Sequence, residues 1–416
     1  NDIPSAAPII NGRLYKIGQI GTFVKMPIGN ITIYGIVTSV SNTPNKVDEF
    51  QLNYNFGSRF LSVQLVGEKI GEDDFEKGIG TYPTINDEVH LVIEQDLFDI
   101  YGKQDTASVE IGKHSSSENL AIYTDIHKLI LRHCAILGST GSGKSNTTAH
   151  IIKRILRDYS GSRMILVDPH GEYSSAFEGK AKTFKINDKN NPLIIPFWTM
   201  SFDELSFFLV GRPEGQERPE DKLLREKILE LKKINAAKLK AGKVDENYIT
   251  ADSPIPFDIK QMWYDFDREL NATYESSSNQ TSETECLEKE GDAKDLVPAQ
   301  FRPYSPTNTA PYKSRNQTMY SYTGKIYSRL KDSRFSFMFN PPDYYDTSSK
   351  HDIDNLLREW IENDKRLTIL DLSGVPFELL DISVGLISRF IYDSMHWGRF
   401  EEYTGRKRPI LMVYEE

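Results

Sequence analysis

The sequence predicts an α/β protein in which a small N-terminal β-barrel precedes a parallel-sheet core interrupted by a helical insertion. Three observations carry this. Apolar and polar residues alternate through much of the first 110 residues. From residue 133 to 167 an apolar run, a glycine-rich loop, a helical stripe and a second apolar run follow one another. Two more apolar runs come late in the chain, after a long helical stretch. The first pattern is that of strands half-buried in a small sheet. The second is a βαβ unit, whose crossover makes its two strands parallel.

In the N-terminal segment Ile31, Ile33, Gly35 and Val37 alternate with Thr32, Tyr34 and Thr38. Leu61, Val63 and Leu65 alternate with Ser62 and Gln64, and Val89, Leu91 and Ile93 continue the period of two. Gly and Asn-Thr-Pro signals punctuate these strands, and several short strands with little helix suggest a barrel. His133–Leu137 is then read as a strand leading into the glycine loop. Thr148, Ile151, Ile152, Ile155 and Leu156 recur at helical spacing, and Met164–Val167 is a second strand.

Ser201 and Glu204 have capping-box spacing, Leu224, Ile228 and Leu231 share one face of a Lys-rich helix, and Ile259, Met262, Trp263, Phe266 and Leu270 form another stripe. The lysines of the second helix read as a solvated face rather than a DNA contact. Residues 271–315, rich in Ser, Thr, Asn, Glu and Pro, predict a disordered or loosely ordered insertion. Ile353, Leu356, Leu357, Trp360 and Ile361 predict a helix, Leu367–Leu372 a strand, Asp381–Met395 a helix and Ile410–Val413 a strand. The division that follows is 1–112 for the barrel, 113–200 for the first part of the core, 201–350 for the insertion and 351–416 for the second part of the core. The chain begins at Asn1 and stops at Glu416 inside an apolar segment, so we expect part of the core to lie beyond it.

Residues 138–145 read Gly138-Ser139-Thr140-Gly141-Ser142-Gly143-Lys144-Ser145, a full match to the P-loop pattern G-x-x-x-x-G-K-[ST]. The glycines let the backbone curl so that successive N–H groups point at phosphate oxygens, and the following helix adds its N-terminal dipole. Lys144 is placed to reach the β- and γ-phosphates of ATP, and the Ser145 hydroxyl to ligate Mg²⁺.

Such a loop needs carboxylates at the end of a neighbouring strand. Glu415 and Glu416 close the Ile410–Val413 run. The first would sit at the Mg²⁺ shell through water, although Asp is usual there. The second would orient and deprotonate the attacking water. Asp168-Pro-His-Gly-Glu-Tyr173 follows the second strand, at the edge where open parallel sheets bind ligands. Asp168 and Glu172 could sit near the γ-phosphate or hold the water. The same six residues also suit a plain strand-to-loop turn.

Composition narrows the function classes. Hydrophobic residues are 38% and charged ones 26% of the 416 residues, a globular profile. No apolar run approaches the roughly 20 residues of a membrane span; the stretch around Leu129–Leu137 is broken by Arg132 and His133. No signal peptide precedes the first strand-like segment. The two cysteines, Cys134 and Cys286, have no zinc or disulfide spacing, so a reducing cytoplasm is the default. A net charge of −10 means that any nucleic-acid contact must use a local basic surface.

Four segments, RHCAILGSTGSGKSNTT, ILVDPHGEY, LTILDLSGVP and PILMVYEE, resemble the HerA ATPases of the HerA/FtsK group of P-loop translocases, in the family's order. IGQIGTFVKMPIG resembles the family's N-terminal barrel, and Asn146 after the P-loop is among the narrower signals. The resemblance implies a RecA-like core and a hexameric ring that hydrolyses ATP and moves double-stranded DNA through its pore. It also implies a partner such as a NurA-like nuclease or, in anti-phage defence, a sirtuin-like NADase. By position it makes Lys144 and Ser145 the P-loop pair, Glu415 and Glu416 the second-motif acids and Asp168 one of the active-site acids. It implies a trans-acting arginine, which no residue here can be assigned to. The rival readings are a ring scaffold that mainly assembles an effector, and a secretion or conjugation pump; pumps are usually tied to a membrane.

Overall fold

The computed structural model describes residues 9–10, 13–14, 18–42, 59–102, 108–114, 117–131, 133–211, 218–238, 245–307, 309–339, 353–400, 402 and 405–415. Two compact units divide the chain. One comprises residues 1–139 with 150–158, the other 140–149 with 159–416.

In the first unit five antiparallel strands form an open sheet in the order Glu76–Lys77, Arg59–Ile70, Ile31–Asn42, Phe23–Ile28, His90–Leu91. Among the described residues the expected barrel is therefore not closed: the first and last of these strands are two-residue edges, each paired on one side there. The alternation in the sequence is real, but a period of two fixes only which face is buried, not whether the ends of a sheet meet. Val24, Met26, Ile33 and Val37 line one apolar cluster. Tyr34, from between Ile33 and Gly35, turns to the other, with Val92, Leu97 and Leu120. The Lys25 ammonium sits 2.8 Å from the Asp96 carboxylate. A separate hairpin, Ser108–His114 with Ser117–Asp125, runs across the boundary anticipated at residue 112.

The second unit is built on four parallel strands in the order Ala181–Lys185, Leu367–Asp371, Met164–Asp168, Leu411–Tyr414. All five residues of Met164–Asp168 and of Leu367–Asp371 are buried, as expected of parallel strands covered on both faces. The register aligns Asp168 with Asp371 and Val167 with Tyr414, which gathers acidic groups at the carboxyl ends of the strands. His133–Leu137, predicted as a strand, forms none among the described residues; Cys134 and Leu137 are exposed. An apolar run becomes a strand only where another backbone offers it a ladder.

The helical insertion is not a satellite. Phe202, Phe208, Trp263 and Phe339 belong to the same apolar cluster as Ile165, Val167 and Leu370 of the sheet and Leu386 of the Phe377–Trp397 helix. Phe202–Val210 begins with the predicted capping box, Glu204 N–H donating to Ser201 Oγ and Ser201 N–H to Glu204 Oε2, and stops at Gly211 in the left-handed region. Ile259–Asn271 buries the predicted stripe. Pro219–Ala236 contains the predicted Lys-rich helix. One of its lysines, Lys232, is buried, with Nζ donating to the carbonyls of Ala251 and Ser253 at 2.6 and 2.7 Å. The insertion also contains the helix Tyr320–Lys331.

Residues 271–315, predicted to be disordered or loosely ordered, are folded in the structure, residue 308 lying outside the described set. Thr273–Tyr274 pairs with Tyr312–Lys313, and Leu287–Lys289 with Gln300–Phe301. Arg268 reaches Glu285 and Glu290, and Thr273 Oγ1 donates to the Arg302 carbonyl. The segment lacks apolar residues for a core of its own, but it folds onto the rest of the unit through these polar groups and through Leu296 and Ala299, which join the shared apolar cluster. Among the described residues no helix is long and apolar enough to cross a membrane.

Candidate active site

The site forms where three segments of the second unit meet. The first is residues 140–145 of the P-loop with the start of the Lys144–Asp158 helix. Gly141 and Gly143 adopt φ of +79° and +96°, conformations that other residues reach only with strain. A Cβ at either position would have no atom within 4 Å, so the loop curls through open space with its backbone exposed. Thr147 ties the turn down, its N–H and its hydroxyl both donating to the Gly143 carbonyl at 2.9 Å. Ser142 and Asn146 are exposed and Lys144 and Ser145 half-buried; Gly138, Ser139 and Thr140, just ahead, are exposed.

The second segment is the loop after Met164–Asp168. The Asp168 carboxylate is fully buried. Its Oδ1 accepts the N–H groups of His170, Gly171 and Glu172 at 3.2, 2.8 and 3.3 Å, and its Oδ2 that of Tyr173 at 3.0 Å. Both oxygens are thus committed to shaping the loop. Gly171 is needed for the same turn: φ is +72°, and a Cβ would lie 3.0 Å from Ser373 Oγ. The loop presents Glu172 and Tyr173 toward the P-loop helix.

The third segment is the end of Leu411–Tyr414. Glu415 N–H donates to the Val167 carbonyl at 3.2 Å, continuing the ladder. The Ser145 hydroxyl lies 3.0 Å from Glu172 Oε2 and 3.2 Å from Glu415 Oε1. It has a single proton and two carboxylates to give it to. Tyr173 donates its phenolic proton to Glu415 Oε2. Burial, and then this carboxylate, push the Tyr173 hydroxyl far above its ordinary pKa, so it stays a donor.

The structure therefore brings together Ser145, Glu172 and Glu415 from the predicted set. It places Asp168 beneath them as the organiser of the loop. Glu416 lies outside the described residues. Tyr173 was quoted in the motif but given no role; the signal that could have found it was the longer Glu415 arm, which needs a second donor to fix it. A hydroxyl flanked by two carboxylates is an oxygen-only donor set, which suits Mg²⁺, a hard ion that keeps several waters and takes one or two carboxylates.

Comparison with known proteins places the chain in a family. Residues 109–391, well over half of the chain, match the family described as Helicase HerA, central domain. The chain belongs to this family. A probable DNA double-strand break repair helicase HerA from Methanocaldococcus jannaschii is 41% identical over 137 residues, 32% of this chain and 25% of the relative. The DNA double-strand break repair helicase HerA of Pyrococcus furiosus is 32% identical over 158 residues, 34% and 27% of the two chains. That of Sulfurisphaera tokodaii is 31% identical over 254 residues, 57% and 46%. The chain thus spans a quarter to just under half the length of these HerA relatives.

Proposed function

We propose that the protein is an ATP-hydrolysing, double-stranded DNA translocase of the HerA kind, working in the cytoplasm as a hexameric ring with an effector enzyme, a nuclease or an NADase, in DNA processing or anti-phage defence. The observation that carries the reading is the Ser145 hydroxyl held between Glu172 and Glu415, which joins the P-loop to the ends of two sheet strands.

The loop N–H groups from Gly138 to Ser145 and the helix N-terminus bind the phosphates of ATP, and Lys144 neutralises the charge that develops on the β- and γ-phosphates. Ser145 and Glu415 would hold Mg²⁺, which would neutralise phosphate charge when bound. Glu172 would orient the attacking water, with Glu416 taking the water's proton. Asp168 keeps Glu172 and Tyr173 of its loop in place without touching the substrate. In a head-to-tail ring the next subunit would supply the trans-acting arginine that the resemblance implies. DNA binding through local basic residues on a chain of net charge −10 weakens steeply with salt.

Native mass spectrometry and an ATPase titration test this reading. Hexamers, activity that rises with protein concentration, and inhibition beyond proportion on mixing in Lys144→Ala subunits are expected. A monomer with full, concentration-independent turnover would remove the ring. Glu416→Gln retains ATP binding and slows turnover at least about a hundredfold, the scale of a lost general base.

A further inference from the structure

Where Asp is usual, Glu415 carries its carboxylate on an arm one methylene longer. Such an arm has an extra rotor to fix before it can present an oxygen in one place. The structure fixes it twice: Oε1 lies 3.2 Å from the Ser145 hydroxyl, and Oε2 accepts from Tyr173. The first of these partners is lost whenever Ser145 turns to a cation. The second is not. The Tyr173 ring is 1% exposed, its backbone N–H is bound by Asp168 Oδ2 at 3.0 Å, and its hydroxyl has Glu415 as its acid partner.

We propose that Tyr173 is the positioning residue for Glu415: its hydroxyl holds one carboxylate oxygen so that the other faces the cation at Ser145. The inference rests on the ATPase reading of the site. It links two features that otherwise stand apart, the Glu at the second motif and the buried tyrosine that ends the Asp168 loop. The phenol delivers one hydrogen bond to a charged acceptor, and such a bond is worth roughly a factor of ten in the affinity that depends on it.

The test uses the full-length protein and reads metal binding without turnover, as the Mn²⁺ affinity of the ADP complex measured by electron paramagnetic resonance. Mg²⁺ titrations of ATP hydrolysis accompany it. Tyr173→Phe keeps the buried ring and removes only the hydroxyl. It should weaken Mn²⁺ about tenfold and raise the Mg²⁺ midpoint by a similar factor. At saturating Mg²⁺, kcat should return to within about twofold of wild type with KM for ATP unchanged, a pattern that a general loosening of the fold does not give. Glu415→Asp shortens the arm away from Tyr173 and should also weaken Mn²⁺. The double variant should be no worse than Glu415→Asp alone. Unchanged Mn²⁺ affinity in Tyr173→Phe, or two additive losses in the double variant, would overturn the proposal. Should Tyr173→Phe fail to fold, unchanged affinity in Glu415→Asp would do so by itself. Lys144→Ala is the reference: undiminished hydrolysis there would sink the ATPase reading, whereas its loss beside a silent Tyr173→Phe would sink only the role of Tyr173.

Discussion

Cys134–Leu137 and Met164–Val167 are both four-residue apolar runs that lead into polar, glycine-containing loops of the candidate site. They end in opposite states. Met164–Val167 lies between Leu367–Asp371 and Leu411–Tyr414, bonded on both sides and buried throughout. Leu137 is 88% exposed, and its run makes no ladder among the described residues. The difference teaches that apolar composition nominates a strand, while neighbouring backbones decide it.

Hydrogen exchange gives the sharpest contrast. Amides of Met164–Val167 should exchange at least about a thousandfold more slowly than those of Cys134–Leu137, the span between a core strand and exposed chain. Comparable protection of the two runs would break the comparison. Truncation should follow the same division. Leu166→Ala, at a fully buried position, should cost about 3 kcal/mol in denaturant unfolding, against under about 0.5 kcal/mol for Leu137→Ala.

Buried charge extends the contrast to the insertion. Burial lowers the Lys232 pKa from 10.5 to about 8, against a weaker opposing pull from Asp252. The folded-state pKa is thus below the unfolded one, and between about pH 8 and 10.5 the unfolded chain binds more protons. Stability therefore rises with pH across that window, by up to about 3 kcal/mol for this group. The burial cost is fully present below the folded pKa. Urea titrations at pH 7.5 and 10 should show this gain in wild type relative to Lys232→Met; equal pH dependence would remove Lys232 from the account. An effect smaller than that at Lys232 is expected at the turns. Gly171→Ala meets both a positive φ and Ser373, whereas Gly141→Ala meets only the φ. Unfolding measurements should give about 2 and about 1 kcal/mol.

Most of the core was legible because its signals are local. The capping box at Ser201, the stripe from Ile259 to Leu270 and the runs at Met164 and Leu367 each state their own geometry. The P-loop was legible because glycine positions and Lys144 follow from phosphate chemistry. What could not be seen depends on partners far along the chain. Barrel closure is a property of two distant edges, and the order in 271–315 draws on Arg268 meeting Glu285 and Glu290 across 17 to 22 residues and on Leu296 and Ala299 joining the shared core. Lys232 looked like surface because its carbonyl acceptors sit about 20 residues away. The Asp168 run was readable as either turn or site, and the structure makes it both: the carboxylate builds the turn, and the turn delivers Glu172 and Tyr173.

The central claim is that these three segments form one nucleotide-hydrolysing site, and Lys144→Ala tests it most directly. The measurement is steady-state ATP hydrolysis by the full-length variant beside wild type, with circular dichroism and thermal melting to verify the fold. The account predicts a folded protein with hydrolysis reduced to background. A folded Lys144→Ala protein that hydrolyses ATP at the wild-type rate would contradict it.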